Sequence, residues 1–323
     1  MSFLFTYRIK LVCNPCVYYL FLSILSTKHI KLFIAVLIGF LLTSCSFNKI
    51  FLQPDKYAKG FNTLTYTTPK DTLKAYFSKG IHQPTFTKHN GRDTLVLDYT
   101  IESILFKSNN GDTINGWFLK PINAKANITI LHLHGNSGSM ISQYKLMTPF
   151  LKKGFQVLMF DYSGFGFSQG KATRKNALNN ALSALDYLKT RSDVNDTKLI
   201  IYGQSFGGHL SPVVAQLRQN DIDALVVEGA FSSCKDIAAS RVPVIGRIFV
   251  KQGYSAMRFI KKYTKPVLVI HSTEDKVIPF KMGQKLFKAA NMPKEFYEVK
   301  HGHILGPFFY AEEISEKMKA MLK

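Results

Sequence analysis

Five short apolar runs rich in β-branched residues, at 128–133, 156–160, 199–202, 224–227 and 267–270, punctuate the chain, and helical patterns such as "NALNNALSALDYLKT" at 176–190 separate them. Strands buried on both faces lose the in-out alternation of a half-exposed strand, so apolar runs alternating with helices predict a mostly parallel sheet covered on both sides. In front of it, "TLVLDYTIESILFKS" and "TINGWFLKP" flank the turn "NNGD" at 109–112, the pattern of a β-hairpin. Function in open parallel sheets gathers at the carboxyl ends of the strands. Each run is followed by an unusual cluster: "HGNSGS", "DYSGFGFS", "GQSFGGH", "EGAFSS" and "HSTEDKVIP", in that order. The topology brings all five to one edge.

The third cluster holds Gly203, Ser205 and Gly207. A Gly-x-Ser-x-Gly pattern arises by chance in roughly one such chain in ten, given glycine near 7% of residues, so its setting carries the weight. "KLIIYG" before it reads as a strand and "FGGHLSPVVAQLRQ" after it as a helix, the strand-turn-helix context of a nucleophile elbow. The two glycines permit a turn too tight for β-carbons, and the helix N-terminus favours negative charge developing nearby.

A serine hydroxyl is a weak nucleophile at neutral pH and needs a base, itself oriented by an acid. In a strand-turn-helix elbow of this kind the order along the chain is Ser, then Asp or Glu, then His. Among the later histidines, His209 lies one helical turn beyond the serine and faces the packing, while His271 ends a buried strand. His301 and His303 share the loop "VKHGHIL", where Gly302 frees the backbone to present His303 as the base. Asp275, on the loop after "PVLVIHS", is the expected acid; Glu228 after the previous strand is its rival, and Glu274 points elsewhere. An oxyanion hole needs two backbone N–H groups, and those of Phe206 and Asn136 are the expected pair. His132 and His134 alternate on a strand without matched ligands, so no metal or other cofactor is expected.

"HGNSGS", "DYSGFGFS", "GQSFGG", "EGAFSS", "EDKVIP" and "HGH" stand in the order and spacing of the α/β-hydrolase superfamily, which the chain resembles from about Thr94 onward. The resemblance implies an α/β fold, a mostly parallel central sheet with helices on both faces, and a Ser205–His303–Asp275 triad. Within the superfamily the variants are most similar to membrane-associated serine hydrolases that include protein depalmitoylases and lysophospholipase-like esterases. Ser163 stands where arginine is usual, His209 where a small residue is common, and Pro212 falls inside the helix behind the nucleophile. The implied activity is cleavage of carboxylic esters or thioesters of an apolar acyl group through an acyl-enzyme. A peptidase of the same fold and a noncatalytic surface-binding lipoprotein are the alternatives.

The first 44 residues differ from the rest. "LFIAVLIGFLLTS" at 32–44 follows Lys28 and Lys31 and precedes Cys45. A basic start, an apolar core and a small-residue end mark a secretory signal, and the run is shorter than the roughly 20 residues of a spanning helix. "LTSC" resembles the lipobox of bacterial lipoproteins, which implies lipidation of Cys45 and a membrane-anchored place in the bacterial cell envelope. Residues 1–27 add a second apolar run, which fits a start site assigned too early or a short membrane hairpin. Residues 45–91 read as a lipidated N-terminus and tether, and 92–323 as the hydrolase domain.

The chain carries a formal charge of +21, of which residues 1–44 supply only four Lys or Arg. The charges are dispersed rather than gathered into a nucleic-acid motif, so anionic lipid head groups are the expected partner alongside a small-molecule or lipid ester. An insert at 231–265, with eight Lys or Arg and one acid, contains two helical patterns, "VPVIGRIFVKQ" and "SAMRFIKKY", and is expected to form a small cap over the site. Phe165, Phe167, Phe206 and Phe231 fall on strand-end loops, where they are expected to line an acyl pocket.

Overall fold

All five apolar runs become central strands in the computed structural model, which describes residues 30–32 and 51–323 apart from 59, 68–71, 78–81, 89–93 and 244. Along the chain the strands are β1 (Gln53–Pro54), β2 (Thr63–Thr67), β3 (Thr72–Phe77), β4 (Pro84–Thr87), β5 (Tyr99–Lys107), β6 (Thr113–Pro121), β7 (Ile128–Leu133), β8 (Ser137–Gly138), β9 (Phe155–Phe160), β10 (Lys198–Gln204), β11 (Ala224–Glu228), β12 (Val267–Ser272) and β13 (Lys294–Val299). Eight of them form one sheet in the order β5-β6-β9-β7-β10-β11-β12-β13. Pairing is parallel from β9 to β13, while β6 is antiparallel to both β5 and β9. The turn at 109–112 closes the β5–β6 hairpin as its sequence predicts.

β7, β9, β11 and β12 are buried over their whole length, which is why they carry no polar alternation. Alternate residues serve opposite faces. Ile128, Ile130, Val157, Met159, Ile200, Tyr202, Val226, Leu268 and Ile270 join one core, completed by Phe150 and Leu151 of α2 (Thr148–Leu151), Met140 and Ile141 of α1 (Met140–Gln143), and the C-terminal Ile314 and Met318. The other face is covered by α3 (Arg174–Lys189), started by the Thr173 hydroxyl accepting from the Asn176 N–H, and by α4 (Phe206–Leu217).

The tether expected over 45–91 ends early. β2, β3 and β4 form an antiparallel sheet, and Phe51, Leu52, Ala75, Phe77 and Phe86 are buried. Phe77 and Phe86 pack on Trp117, with ring centroids 6.3 and 6.5 Å away. The segment looks polar because only one face of each strand is apolar, as the alternation in "TLTYT" and "TLKAYF" records. The insert at 231–265 also departs from expectation. It forms α5 (Cys234–Arg241), α6 (Ile245–Phe249) and α7 (Ala256–Ile260), and α7 packs on α4 and on α8 (Phe280–Ala289) with Ala256 and Ile260 fully buried. The "SAMRFIKKY" part therefore belongs to the helical layer, and its basic residues mark the solvated side of a packed helix.

Met1–Phe47 forms a unit separate from Asn48–Lys323, and within it only residues 30–32, in a helix, are described. Cys45 and its preceding "LTS" lie outside the described residues. Among the described residues no helix is long and apolar enough to cross a membrane.

Candidate active site

Ser205 sits between the last residue of β10 and the first of α4 with φ 54° and ψ −112°. Among the described residues three non-glycines have positive φ, namely Ser205, His301 and Ile304, and all lie in the two loops that build this site. Strained backbone of this kind persists only where the surroundings enforce it, and it gathers at functional sites. The enforcement comes from close approach. A β-carbon at Gly203 would sit 2.3 Å from the Gly207 carbonyl oxygen, and one at Gly207 would sit 1.9 Å from that of Leu133. Only glycine lets α4 start directly on the ends of β7 and β10. Ser205 lies on the floor of the site, with 6% of its surface exposed, and its N–H donates to the Glu228 carbonyl at 2.9 Å.

The β11 end carries the next contact. A β-carbon at Gly229 would stand 3.2 Å from His303 Cε1 and 3.3 Å from Nδ1, so the imidazole lies beside the chain one residue past the Ser205 hydrogen-bond partner, where a side chain would crowd it. His303 Nδ1 donates to Asp275 Oδ2 at 2.6 Å. Asp275 Oδ1 accepts from the N–H groups of Val277 and Ile278, both at 2.8 Å. Burial alone would push the Asp275 pKa up; the bond to His303, its charge and the two amides outweigh it and hold the carboxyl below the usual range. With Nδ1 committed as donor, Nε2 is the acceptor nitrogen, and it is buried without a hydrogen-bond partner among the described residues.

The other candidates have structural partners. His271 Nε2 donates to the Ile278 carbonyl at 3.0 Å, and burial lowers its pKa. His301 is exposed and stacks on Phe309, with centroids 3.9 Å apart. His209 is fully buried, donates from Nδ1 to the Phe231 carbonyl at 2.9 Å and stacks on Phe231 at 4.1 Å; burial lowers its pKa to about 4. The departure at this position is thus a neutral packing histidine. Glu228 accepts from Tyr202 Oη (2.9 Å), Gln204 Nε2 (2.7 Å) and the Gly306 N–H (2.8 Å). With Gln204 Nε2 also donating to the Ile304 carbonyl, it moors the loop that carries His303. Glu274 accepts from the His301 N–H at 3.0 Å on the same loop.

Phe206 opens α4, where the first four N–H groups of a helix have no intrahelical carbonyl. Asn136 follows Gly135, whose position leaves a β-carbon 3.7 Å from Ser205 Cβ. Phe206 thus directly follows the serine, and the loop that carries Asn136 approaches it at Gly135. Behind them, Asp161 accepts from the Met140 N–H at 2.5 Å, and burial raises its pKa to about 7. Ser163, in place of the usual arginine, is fully buried and donates to Asp112 Oδ2 at 2.6 Å, tying the loop after β9 to the hairpin turn. Pro212 deprives the Gly208 carbonyl of its i+4 donor, and Ser211 Oγ donates to it at 3.4 Å instead.

All four phenylalanines pack against other aromatic rings, and Phe165, Phe206 and Phe231 are buried. Phe165 and Phe206 pack edge-on against Tyr162, Phe231 covers His209, and Phe167 stacks on His82 within an aromatic cluster with Tyr57, Phe61 and Phe77. Large aromatic side chains near a strand end are core first. Sequence reasoning also missed residues 53–57, whose backbone reaches the Asn136 loop; their signal was the apolar pair Phe51–Leu52 ahead of a polar strand.

A family model described as the alpha/beta hydrolase fold matches residues 128–252. The chain is 36% identical over 223 residues to the uncharacterized protein YfhR of Salmonella typhi, covering 64% of this chain and 75% of that one. It is 30% identical over 229 residues to the mouse lysophosphatidylserine lipase ABHD12, covering 64% and 56%. Among solved structures, the Pyrococcus furiosus esterase Pf2001 superposes with a TM-score of 0.60 at 17% identity, covering 84% of this chain and 97% of that one.

Proposed function

This chain belongs to the alpha/beta hydrolase family, and from that premise we propose that it is a serine hydrolase cleaving carboxylic esters or thioesters through an acyl-enzyme. The observation that carries the reading is the His303–Asp275 hydrogen bond, which leaves a buried, unpartnered Nε2 in the same site as a strained serine. Ser205 Oγ attacks the acyl carbon as its proton passes to His303 Nε2, and Asp275 stabilises the imidazolium that forms. The N–H groups of Phe206 and Asn136 receive the oxyanion. Collapse of the tetrahedral adduct breaks the bond to the leaving oxygen or sulfur, which takes the proton from Nε2. Water repeats the sequence on the acyl-enzyme, with His303 again as base.

A lysophosphatidylserine lipase among the relatives and an esterase among the fold neighbours support an ester as substrate, and an apolar acyl group fits the first of these. The segment before Asn48 supports a further element: "LTSC" makes Cys45 the site of a lipid anchor that keeps the enzyme at the bacterial cell envelope, where an acylated substrate resides. Acyl chains contribute about 0.8 kcal/mol per buried CH₂, so two or more hold a protein stably.

The test of the reaction is hydrolysis of p-nitrophenyl esters of rising chain length by the full-length protein and by Ser205→Ala. Turnover by wild type, lost in the folded variant, is expected. Equal rates would refute the nucleophile. Radiolabelled palmitate incorporated by wild type but not by Cys45→Ala is expected for the anchor; equal incorporation would refute it.

A further inference from the structure

Residues 51–57 form a strap across two loops at the site edge of the sheet. Phe51 and Leu52 are buried at its start, Phe51 under the Arg174 guanidinium at 5.2 Å and 6.3 Å from the Phe231 ring. From there β1 runs parallel to β8, which is part of the loop bearing Asn136. The Gln53 N–H donates to the Asn136 carbonyl at 2.7 Å and the Asp55 N–H to that of Gly138 at 2.8 Å. On its other edge the strap exchanges two bonds with the loop after β9. The Gly166 N–H donates to the Asp55 carbonyl (2.7 Å), and the Tyr57 N–H to the Gly166 carbonyl (3.0 Å). Tyr57 Oη closes the far end by hydrogen-bonding Ser139 Oγ at 2.7 Å.

The loop it crosses needs such support. Residues 134–139 leave the sheet after Leu133 and are held from below at Gly135, where the N–H reaches Gln143 Oε1 at 3.3 Å, and at Met140, through Asp161. Between these points Gln143 Nε2 reaches the Ser137 carbonyl at 2.7 Å, while the Asn136 and Gly138 carbonyls take strap donors. Fixing the Asn136 carbonyl fixes one of the two peptide planes that flank its α-carbon, and the other plane carries the N–H assigned to the oxyanion. We propose that residues 51–57 are a positioning element for the oxyanion hole, so that the stretch beginning six residues after Cys45 sets the reactivity of Ser205. The inference rests on the serine-hydrolase reading above. It makes the N-terminal segment part of the working enzyme rather than a leash.

The test uses the full-length protein in detergent. Gln53→Pro removes the donor to Asn136, and Gln53→Ala keeps it, since the side chain is exposed. A displacement of about 1 Å in a reacting geometry costs about 10²-fold, so kcat of Gln53→Pro is expected to fall about 10- to 100-fold with KM within about twofold of wild type. Affinity for a trifluoromethyl ketone, whose adduct with serine places an oxyanion in the hole, is expected to fall by the same factor, because both report the same lost donor geometry. Gln53→Ala is expected to recover both. Tyr57→Phe, which removes one side-chain bond, carries the test through a smaller parallel loss, about 3- to 10-fold, the factor a single neutral hydrogen bond is worth, should Gln53→Pro not fold by circular dichroism. Unchanged kcat and inhibitor affinity in a folded Gln53→Pro, or a kcat loss that Gln53→Ala shares or inhibitor binding does not follow, would overturn the inference while leaving the serine mechanism standing. An inactive wild type overturns both readings, and shows it before any strap variant is compared.

Discussion

Replacing Asp275 by asparagine changes one atom, and the surroundings dictate how that atom must sit. Oδ1 of Asp275 accepts from two backbone N–H groups, Val277 and Ile278, at 2.8 Å each. An amide NH₂ cannot replace an oxygen facing two donors, so the asparagine oxygen takes that place and its NH₂ faces His303 Nδ1, where Oδ2 now accepts at 2.6 Å. Nδ1 must then act as acceptor, and the imidazole proton moves to Nε2. The base loses its lone pair toward Ser205 while the fold keeps its hydrogen bonds. In a serine-protease triad this swap costs about 10⁴ in kcat, which is about 5.5 kcal/mol of transition-state stabilisation. The assay is steady-state hydrolysis of a p-nitrophenyl ester, with thermal unfolding followed in parallel. A loss of at least about a thousandfold in kcat with a shift of a few degrees in Tm is expected. A folded Asp275→Asn retaining a tenth or more of wild-type kcat would refute the assignment of Asp275 as the residue orienting the base.

The same residue fixes the sign of one pH effect. Its carboxyl is held below the ordinary range in the folded state, so it contributes stability that is present above the unfolded pKa and lost as pH falls through the folded value; Asp275→Asn should flatten that acid limb in urea titrations, and an unchanged limb would contradict the linkage. Asp161 acts in the opposite direction. Its pKa is raised from 3.8 to about 7 by burial, so its contribution is full below pH 4 and declines as pH rises toward 7, on the order of 4 kcal/mol in total. Asp161→Asn should remove that decline, and urea titrations at pH 5 and 8 check it. Gly207→Ala places a β-carbon 1.9 Å from the Leu133 carbonyl oxygen and should cost more than about 3 kcal/mol, near the upper end for single substitutions; denaturant midpoints near wild type would show that α4 can move away from β7.

The sequence made the central sheet and the site legible for the same reason. Strands buried on both faces must be apolar throughout, so the glycines and polar residues that follow them at the sheet edge stand out in the sequence and mark where chemistry gathers. Ser205, Asp275 and His303 follow strands of the sheet, and the structure joins Asp275 to His303 directly. What was not legible lay where one signal serves two causes. Strand alternation in "TLKAYF" looked polar because one face carries Thr, Lys and Tyr. The 256–260 helix looked like a cap because its exposed face is basic, although Ala256 and Ile260 are fully buried against the helical layer. Phe165 and Phe231 stood at strand ends and proved to be core. Glu228 rivals Asp275 in sequence, yet its three donors include the backbone of Gly306, a contact between residues 78 apart in sequence that no local pattern announces.

The central claim is that Ser205 is the nucleophile activated by His303. The measurement that meets it most directly is reaction of the full-length protein with a fluorophosphonate, followed by peptide mass mapping. A single adduct on Ser205, formed by wild type and slowed at least about a hundredfold in His303→Ala, is the expected result. An adduct on another residue, labelling of Ser205→Ala at the wild-type rate, or no adduct at all would contradict it.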